Sequence, residues 1–477
     1  MLLSHQLDEK QLKQDVLNAL QNWDKPGEVL GNELEKLTLI RMRRKTLLPD
    51  KPYASRLAVN SILLEGIEAL EKEDEQAAHI LRLRFLNKET VQAVTNTLGH
   101  LNKDQTNRSQ RNAIELLVHI LLKQEMAFRQ TQIHLLESQL PPPPYNQSGL
   151  FGVKEELVTL ASHLLQETGP WVMILSGIGG IGKTSLADAL VRHIMRFFQF
   201  DTVIWIRTTA GHLNTEPFSD TLIVEYVMGQ VANHLCPDIA ANTPMEKRNL
   251  AVRQVLKDNP HLVVIDNLEV EMDAAHLFSY VADLANPSKF LITSRTRPLG
   301  LGGTYIHTLT DLSLEAATQL IRHHAQDIGL SDLAQANEAE VEQVYNVTGG
   351  NPLALKLIVS LATVLPLPEV LTDLAHAHVG QIEQMYRRIY QSVWESLSKN
   401  ARTLLEIMPM AAANGMGESQ MQAVSGLLKR ELWAAITELA HRSLLEVRGT
   451  VQERRYGIHH LTESFLKTDI IGLPDER

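Results

Sequence analysis

The sequence predicts a multidomain chain of α and α/β class, and three observations carry that prediction. Residues 1–138 show helical spacings such as Leu63, Ile67 and Leu70 and no strand-like alternation. From about 150 to 300, apolar strand-like runs alternate with helical segments, the order that produces a parallel sheet with crossover helices. Between the two lies "QLPPPPYNQSG", Gln139 to Gly149, where four prolines stiffen the backbone and Asn-Gln-Ser-Gly loosens it again.

The helical signal returns from roughly 310 to 375. From 385 to 470 helices end in "LLEVRG" and "RRYGIHHL", which flank a polar turn as a short hairpin would. No internal repeat of 20–50 residues is visible. The 477 residues suffice for three or four domains of roughly 100–200 residues each. A hydrophobic content of 44% with 5% aromatics suits a soluble, helix-rich protein. The single cysteine, Cys236, excludes an intrachain disulfide and a cysteine zinc site and fits a reducing, cytoplasmic setting. No signal peptide or membrane-spanning run stands out, so no membrane partner is expected. A net charge of −11 rules out a chain that is basic throughout but leaves room for a local basic patch.

"LSGIGGIGKTSLADAL" carries the sharpest chemistry. Gly177 to Thr184 satisfies G-x-x-x-x-G-K-[ST] in full, directly after the apolar run "WVMIL", Trp171 to Leu175. Gly177, Gly179, Gly180 and Gly182 let backbone N–H groups turn inward around a phosphate chain. The helix starting near Lys183 aims its positive end at the anion, Lys183 reaches the terminal phosphates, and Thr184, with Ser185 as a second candidate, offers a hydroxyl to Mg²⁺. ATP or ADP with Mg²⁺ is therefore the expected ligand. "HLVVIDNLE" ends an apolar strand in Asp266, the candidate metal and catalytic carboxylate. The next residue, Asn267, cannot accept a proton, so slow hydrolysis is expected; Glu269 could substitute, or could simply be a solvated helix-start residue. "KFLITSRTR" places Arg295 at the carboxyl edge of the sheet, where it could sense a γ-phosphate.

In this order, "FDTVIWI", "VVIDN", "LITSR" and "GGNPLALKL" following the phosphate loop resemble the NB-ARC branch of the STAND ATPases over about residues 148–465. The resemblance implies a nucleotide-binding domain over 150–308, a small helical domain over 309–378, a winged helix over 379–468 and a tail over 469–477, with ADP clamped among the three domains. It places Pro352 and the backbone near Phe151 and Val153 against the adenine. It also aligns His459 of "YGIHHL" with a histidine that contacts the β-phosphate, with His460 where the family often has Asp.

In the N-terminal domain, "LRLRFLNKETVQAVTNTLGHLNKDQTNRSQRNAIELLVHIL", Leu81 to Leu121, reads as helix, turn, helix and resembles sigma-factor region 4. Val91, Val94 and Leu98 form one face, Gly99 is a natural stop and Asn102 a natural cap; Ala113, Ile114 and Leu117 close the second helix. Between Leu81 and Arg129, eight cations (Arg82, Arg84, Lys88, Lys103, Arg108, Arg111, Lys123, Arg129) oppose four acids (Glu89, Asp104, Glu115, Glu125). Lys103, Gln105, Arg108 and Arg111 are the candidate DNA-contacting residues. Thr106 and Ser109 stand where such a helix usually buries aliphatic groups. Two functions from different classes follow. One is a nucleotide-driven transcriptional switch, monomeric with ADP and oligomeric when active. The other is a signalling or defence scaffold whose N-terminal domain binds protein partners. A processive motor fits poorly with Asn267.

Overall fold

The computed structural model describes residues 8–25, 32–47, 53–99, 102–145, 150–208, 221–237, 239, 243–268, 271–294, 303–375, 387, 390–391, 393–411, 415–442, 444–449, 453–458 and 460–471. Contacts divide the chain into two compact units, Met1–Leu135 and Leu136–Arg477. Among the described residues, no helix is long and apolar enough to cross a membrane.

The first unit is helical: α1 (Glu9–Gln21), α2 (Asn32–Lys36), α3 (Thr38–Thr46), α4 (Ala54–Glu73), α5 (Glu75–Leu81), a π-helical turn (Arg82–Leu86), α6 (Val91–Thr97) and α7, which begins at Lys103. Leu63, Ile67 and Leu70 of α4 are buried with Leu12, Leu20, Leu37, Leu117 and Leu121. Thr90 Oγ1 caps α6 by accepting from Ala93 N at 3.2 Å. Gly99 follows with φ 65°, and Asn102 Oδ1 accepts from Gln105 N at 2.9 Å, so the expected helix, turn and helix are in place.

One expectation needs correction. The second helix does not close near Leu117–Leu121 but runs from Lys103 to Gln139. No glycine or proline interrupts that span, and Ile120, Leu121 and Glu125 continue its buried face. Thr106 is fully buried, and its hydroxyl lies 2.8 Å from that of Thr95, which itself donates to the Val91 carbonyl at 2.7 Å. A hydroxyl pair thus joins α6 to α7 where aliphatic packing is usual.

Helix starts in this unit are held by carboxylates distant in sequence. Glu125, fully buried on α7, accepts from Thr38 N at 2.8 Å and Leu39 N at 2.9 Å, satisfying the amides that open α3. Arg129 Nε donates to the same carboxylate at 2.6 Å. Asp15 does the same for α2, accepting from Glu33 N at 2.9 Å.

The second unit opens with α8 (Lys154–Leu164), β1 (Val172–Ser176), α9 (Lys183–Met195), β2 (Val203–Arg207), α10 (Thr221–Leu235), α11 (Met245–Asp258), β3 (Leu262–Leu268), α12 (Glu271–Leu284), β4 (Lys289–Ser294) and β5 (Thr304–Thr308). The strands form one parallel sheet in the order β2-β3-β4-β1-β5, as the alternating pattern predicts. β5, the short polar segment "TYIHT", escaped that pattern because its residues are only half-buried at the edge. Successive strand residues face opposite layers. Ile174, Ile204, Val263, Ile265, Phe290 and Ile292 pack on α10–α12, while Met173, Leu175, Val203, Val264 and Leu291 pack on α8 and α9. Both faces are apolar because both are covered.

Beyond the sheet come α13 (Leu314–Asp327), α14 (Ser331–Ala334), α15 (Glu338–Thr348), α16 (Pro352–Leu361) and α17 (Leu367–Ala375). The helices Lys399–Ile407, Glu418–Ser425 and Lys429–His441 precede an antiparallel hairpin of β6 (Glu446–Gly449) and β7 (Arg454–Gly457). These helices share one apolar core with α13–α17.

Candidate functional site

β1 delivers the chain to the loop Gly177–Gly182, and α9 leaves it at Lys183. Gly177, Gly180 and Gly182 take positive φ values of 152°, 74° and 101°; Gly179 does not. Three of the four expected glycines therefore use their conformational freedom. At Gly177 a Cβ would also lie 3.1 Å from Ile181 Cγ2 and 3.3 Å from the Leu309 carbonyl, so a side chain there would crowd both as well as strain the backbone. Lys183 Nζ donates to the Gly177 and Ile178 carbonyls at 2.8 and 3.0 Å, which holds the ammonium across the loop.

The acidic end is built across strands. Asp266 on β3 is fully buried. Its Oδ1 accepts from Thr184 Oγ1 at 2.8 Å and from Thr293 Oγ1, on β4, at 2.7 Å. Its Oδ2 faces Arg207 Nε on β2 at 3.4 Å. Asn267 has φ 70°, which asparagine tolerates better than most residues, and its amide donates to the Thr208 carbonyl at 3.3 Å. Thr208 N in turn donates to the Asp266 carbonyl at 2.9 Å. Asn267 thus ties β2 to β3 and offers no base. Hard oxygen donors from Thr184 and Asp266, already in mutual contact, suit Mg²⁺; these two residues would hold the ion, which would offset phosphate charge. Ser185 sits beside Thr184 on α9, half-buried.

The helical segment meets the phosphate loop through Asn351. Its Oδ1 caps α16, accepting from Leu353 N and Ala354 N at 3.1 and 3.3 Å. That fixes Nδ2 as the outward group, and Nδ2 lies 3.4 Å from the Gly179 carbonyl. Gly350, φ 85°, lets its carbonyl accept from Leu312 N at 3.1 Å; a Cβ there would sit 2.5 Å from the Leu312 carbonyl. Pro352 stands at the first position of α16, half-buried, next to Asn351. Asn351 was not among the residues singled out from the sequence, although "GGNPLAL" followed by a helical run is an N-cap signature.

Phe151 packs against His323 of α13, with ring centroids 5.5 Å apart, and Val153 packs among the residues of α8 and α9. The neighbouring His324 is pushed down to about 4, by burial first and then by the charge of Lys356, and its Nε2 lies 3.1 Å from Ser360 Oγ of α16. Arg295, His459 and Glu269 lie outside the described residues.

The proline segment is fastened to α9. Tyr145 Oη donates to Asp188 Oδ2 at 2.7 Å, Arg192 Nε donates to the same oxygen at 2.8 Å, and Arg192 Nη2 reaches the Pro141 carbonyl at 2.8 Å. Burial, and then the hydrogen bond to Asp188, push the Tyr145 phenol well above its usual range.

In the first unit, Lys103, Gln105, Arg108 and Arg111 are all exposed on the opening turns of α7. Four of the eight clustered cations are matched by carboxylates: Arg82 by Glu71 at 2.7 Å, Lys88 by Asp24, Lys123 by Glu73 at 3.4 Å and Arg129 by Glu125 at 2.6 Å. Arg84 turns to Gln110 at 2.9 Å and to the Glu89 carbonyl. Lys103, Arg108 and Arg111 carry no ion pair among the described residues.

Residues 153–327 match the profile of the NB-ARC domain. An uncharacterised WD-repeat protein of Nostoc sp. is 24% identical over 329 residues, 62% of this chain and 25% of that protein. Disease susceptibility protein LOV1 of Arabidopsis thaliana is 27% identical over 237 residues, 47% of this chain and 25% of that protein. The chain thus spans about a quarter of the length of these curated relatives. Among solved structures, a STAND protein with a tetratricopeptide repeat sensor from Pyrococcus horikoshii is similar at a TM-score of 0.43 and 18% identity, covering 68% of this chain and 43% of that one.

Proposed function

We propose, from the premise that residues 153–327 are an NB-ARC domain of the P-loop ATPase type, that the protein is an ATP/ADP-dependent switch in signal transduction. One observation carries the reading: within one compact unit, Thr184 at the start of α9 touches Asp266 while the phosphate loop before it meets the helical segment through Asn351. A nucleotide seated on that loop alters the contacts that join the two. In this reading Lys183, Thr184 and the loop glycines hold the phosphates, with Ser185 beside them. Asp266 serves the metal, Arg295 senses the γ-phosphate and His459 the β-phosphate. Pro352 and the backbone near Phe151 and Val153 meet the adenine. Asn267 supplies no base, so turnover is slow and the nucleotide acts as a state rather than a fuel.

The output is oligomerisation on exchange and regulation of transcription through the N-terminal helices. What supports the DNA reading is the exposed row of Lys103, Gln105, Arg108 and Arg111 at the start of a helix that follows a helix and turn. The opposing reading, a signalling or defence scaffold that binds protein, is favoured by the neutralisation of four of the eight cations. Binding of the full chain to random duplex DNA across a salt series separates them. Lys103, Arg108 and Arg111 are the exposed cations of that window that carry no ion pair among the described residues, so the slope of log K against log salt should be no steeper than about −3, and Arg108→Ala with Arg111→Ala should flatten it by about 2. Absence of binding at low salt would favour the scaffold.

A further inference from the structure

Arg207 has no place in the sequence reading, yet it reaches the phosphate end. It closes β2 in direct register with Asp266 on β3, and its Nε lies 3.4 Å from Asp266 Oδ2. The carboxylate is fully buried while the guanidinium remains about a fifth exposed. A buried carboxylate is costly unless a cation and hydrogen bonds satisfy it. Here Thr184 and Thr293 occupy Oδ1 and Arg207 attends Oδ2.

We infer that Arg207 is a positioning residue that makes nucleotide binding nearly independent of Mg²⁺, because it neutralises Asp266 where a metal ion otherwise would. The inference rests on the nucleotide reading above. Thr184 connects Asp266 to the phosphate loop, so an unneutralised Asp266 would repel a metal-free diphosphate. Arg207 removes that repulsion. It also opposes the approach of a second cation to the same carboxylate, so the gain from adding Mg²⁺ is small. Its role is exerted through Asp266 rather than on phosphate.

The test is ADP affinity of the full chain, measured by calorimetry in EDTA and again in excess MgCl₂. Wild type should differ by less than about threefold between the two buffers. Arg207→Gln should weaken binding about tenfold in EDTA and little in MgCl₂, the size expected for one partly screened charge. Arg207→Lys should bind in EDTA nearly as wild type does. Adding Asp266→Asn to Arg207→Gln should restore metal-free binding, since no carboxylate is left to neutralise. An unchanged EDTA to MgCl₂ ratio in Arg207→Gln overturns the inference. So does a double variant as weak in EDTA as the single one, because Arg207 would then act on the phosphates themselves. If Arg207→Gln does not fold, wild type and Arg207→Lys still decide: a gain of more than about tenfold in ADP affinity of either protein on moving from EDTA to MgCl₂ overturns the inference. Wild type that binds ADP in neither buffer would overturn the nucleotide reading itself.

Discussion

The phosphate loop and the N-terminal helices were both legible as local sequence patterns, and folding treated them differently. Gly177 to Thr184 specifies a backbone path, and the fold takes positive φ at three of its four glycines and sets the Thr184 hydroxyl on Asp266. The basic window from Leu81 to Arg129 specifies a charge, and folding removes much of it. Glu71, Asp24 and Glu73, all outside the window, come to Arg82, Lys88 and Lys123. A motif that fixes dihedrals carries its own cause within a few residues. A charge count depends on partners that the sequence does not place.

The largest effect tests the local side of this contrast. Lys183→Ala should reduce nucleotide affinity at least about a hundredfold by calorimetry, because it removes the ammonium that spans the loop. Retention of affinity within tenfold would mean that the loop pattern does not bind phosphate, and the contrast would fail at its stronger end.

The next effect tests the distal side. Glu125 closes an interaction 87 residues long, holding the first amides of α3 and the Arg129 guanidinium from a fully buried position. Glu125→Ala should destabilise the protein by about 2–4 kcal/mol in denaturant unfolding, since it strands buried donors and a cation together. Glu125→Gln should lose less, because an amide oxygen still accepts. A loss under about 0.5 kcal/mol for alanine would show that α3 is held by packing alone.

Acid provides a third, smaller probe. His324 is held neutral in the fold, at about 4, against about 6.5 in an unfolded chain. The unfolded state therefore takes up a proton that the fold refuses, and stability should fall as pH drops from about 6.5 towards 4, by about 1–3 kcal/mol. His324→Gln should flatten that part of the profile. An equal slope in both proteins would assign the acid sensitivity to other groups.

The limits of sequence reading follow the same division. The parallel sheet was legible because its strands are apolar on both faces, and each alternate residue has a covered layer to enter. β5 was not, because an edge strand needs little apolar surface. The end of the second helix near Leu121 was misplaced because a long uninterrupted helix and a short one look alike until something stops them; here Pro141 follows the last turn. Asp266 could be proposed from its strand, but its neighbours Arg207 and Thr293 could not, since they arrive from two other strands.

Asn351 allows the local and distal contributions to be separated within one side chain. Its Oδ1 caps α16 two and three residues on, while its Nδ2 approaches the Gly179 carbonyl across 172 residues. Serine caps a helix about as well as asparagine but is too short to reach the loop. Asn351→Ser should therefore leave the melting temperature within a degree or two of wild type while speeding ADP release severalfold in a fluorescent-nucleotide chase. The expected cost is under about 1 kcal/mol, the low end for one neutral hydrogen bond because of its 3.4 Å length. An Asn351→Ser protein that melts earlier yet releases ADP at the wild-type rate would confine Asn351 to its own helix.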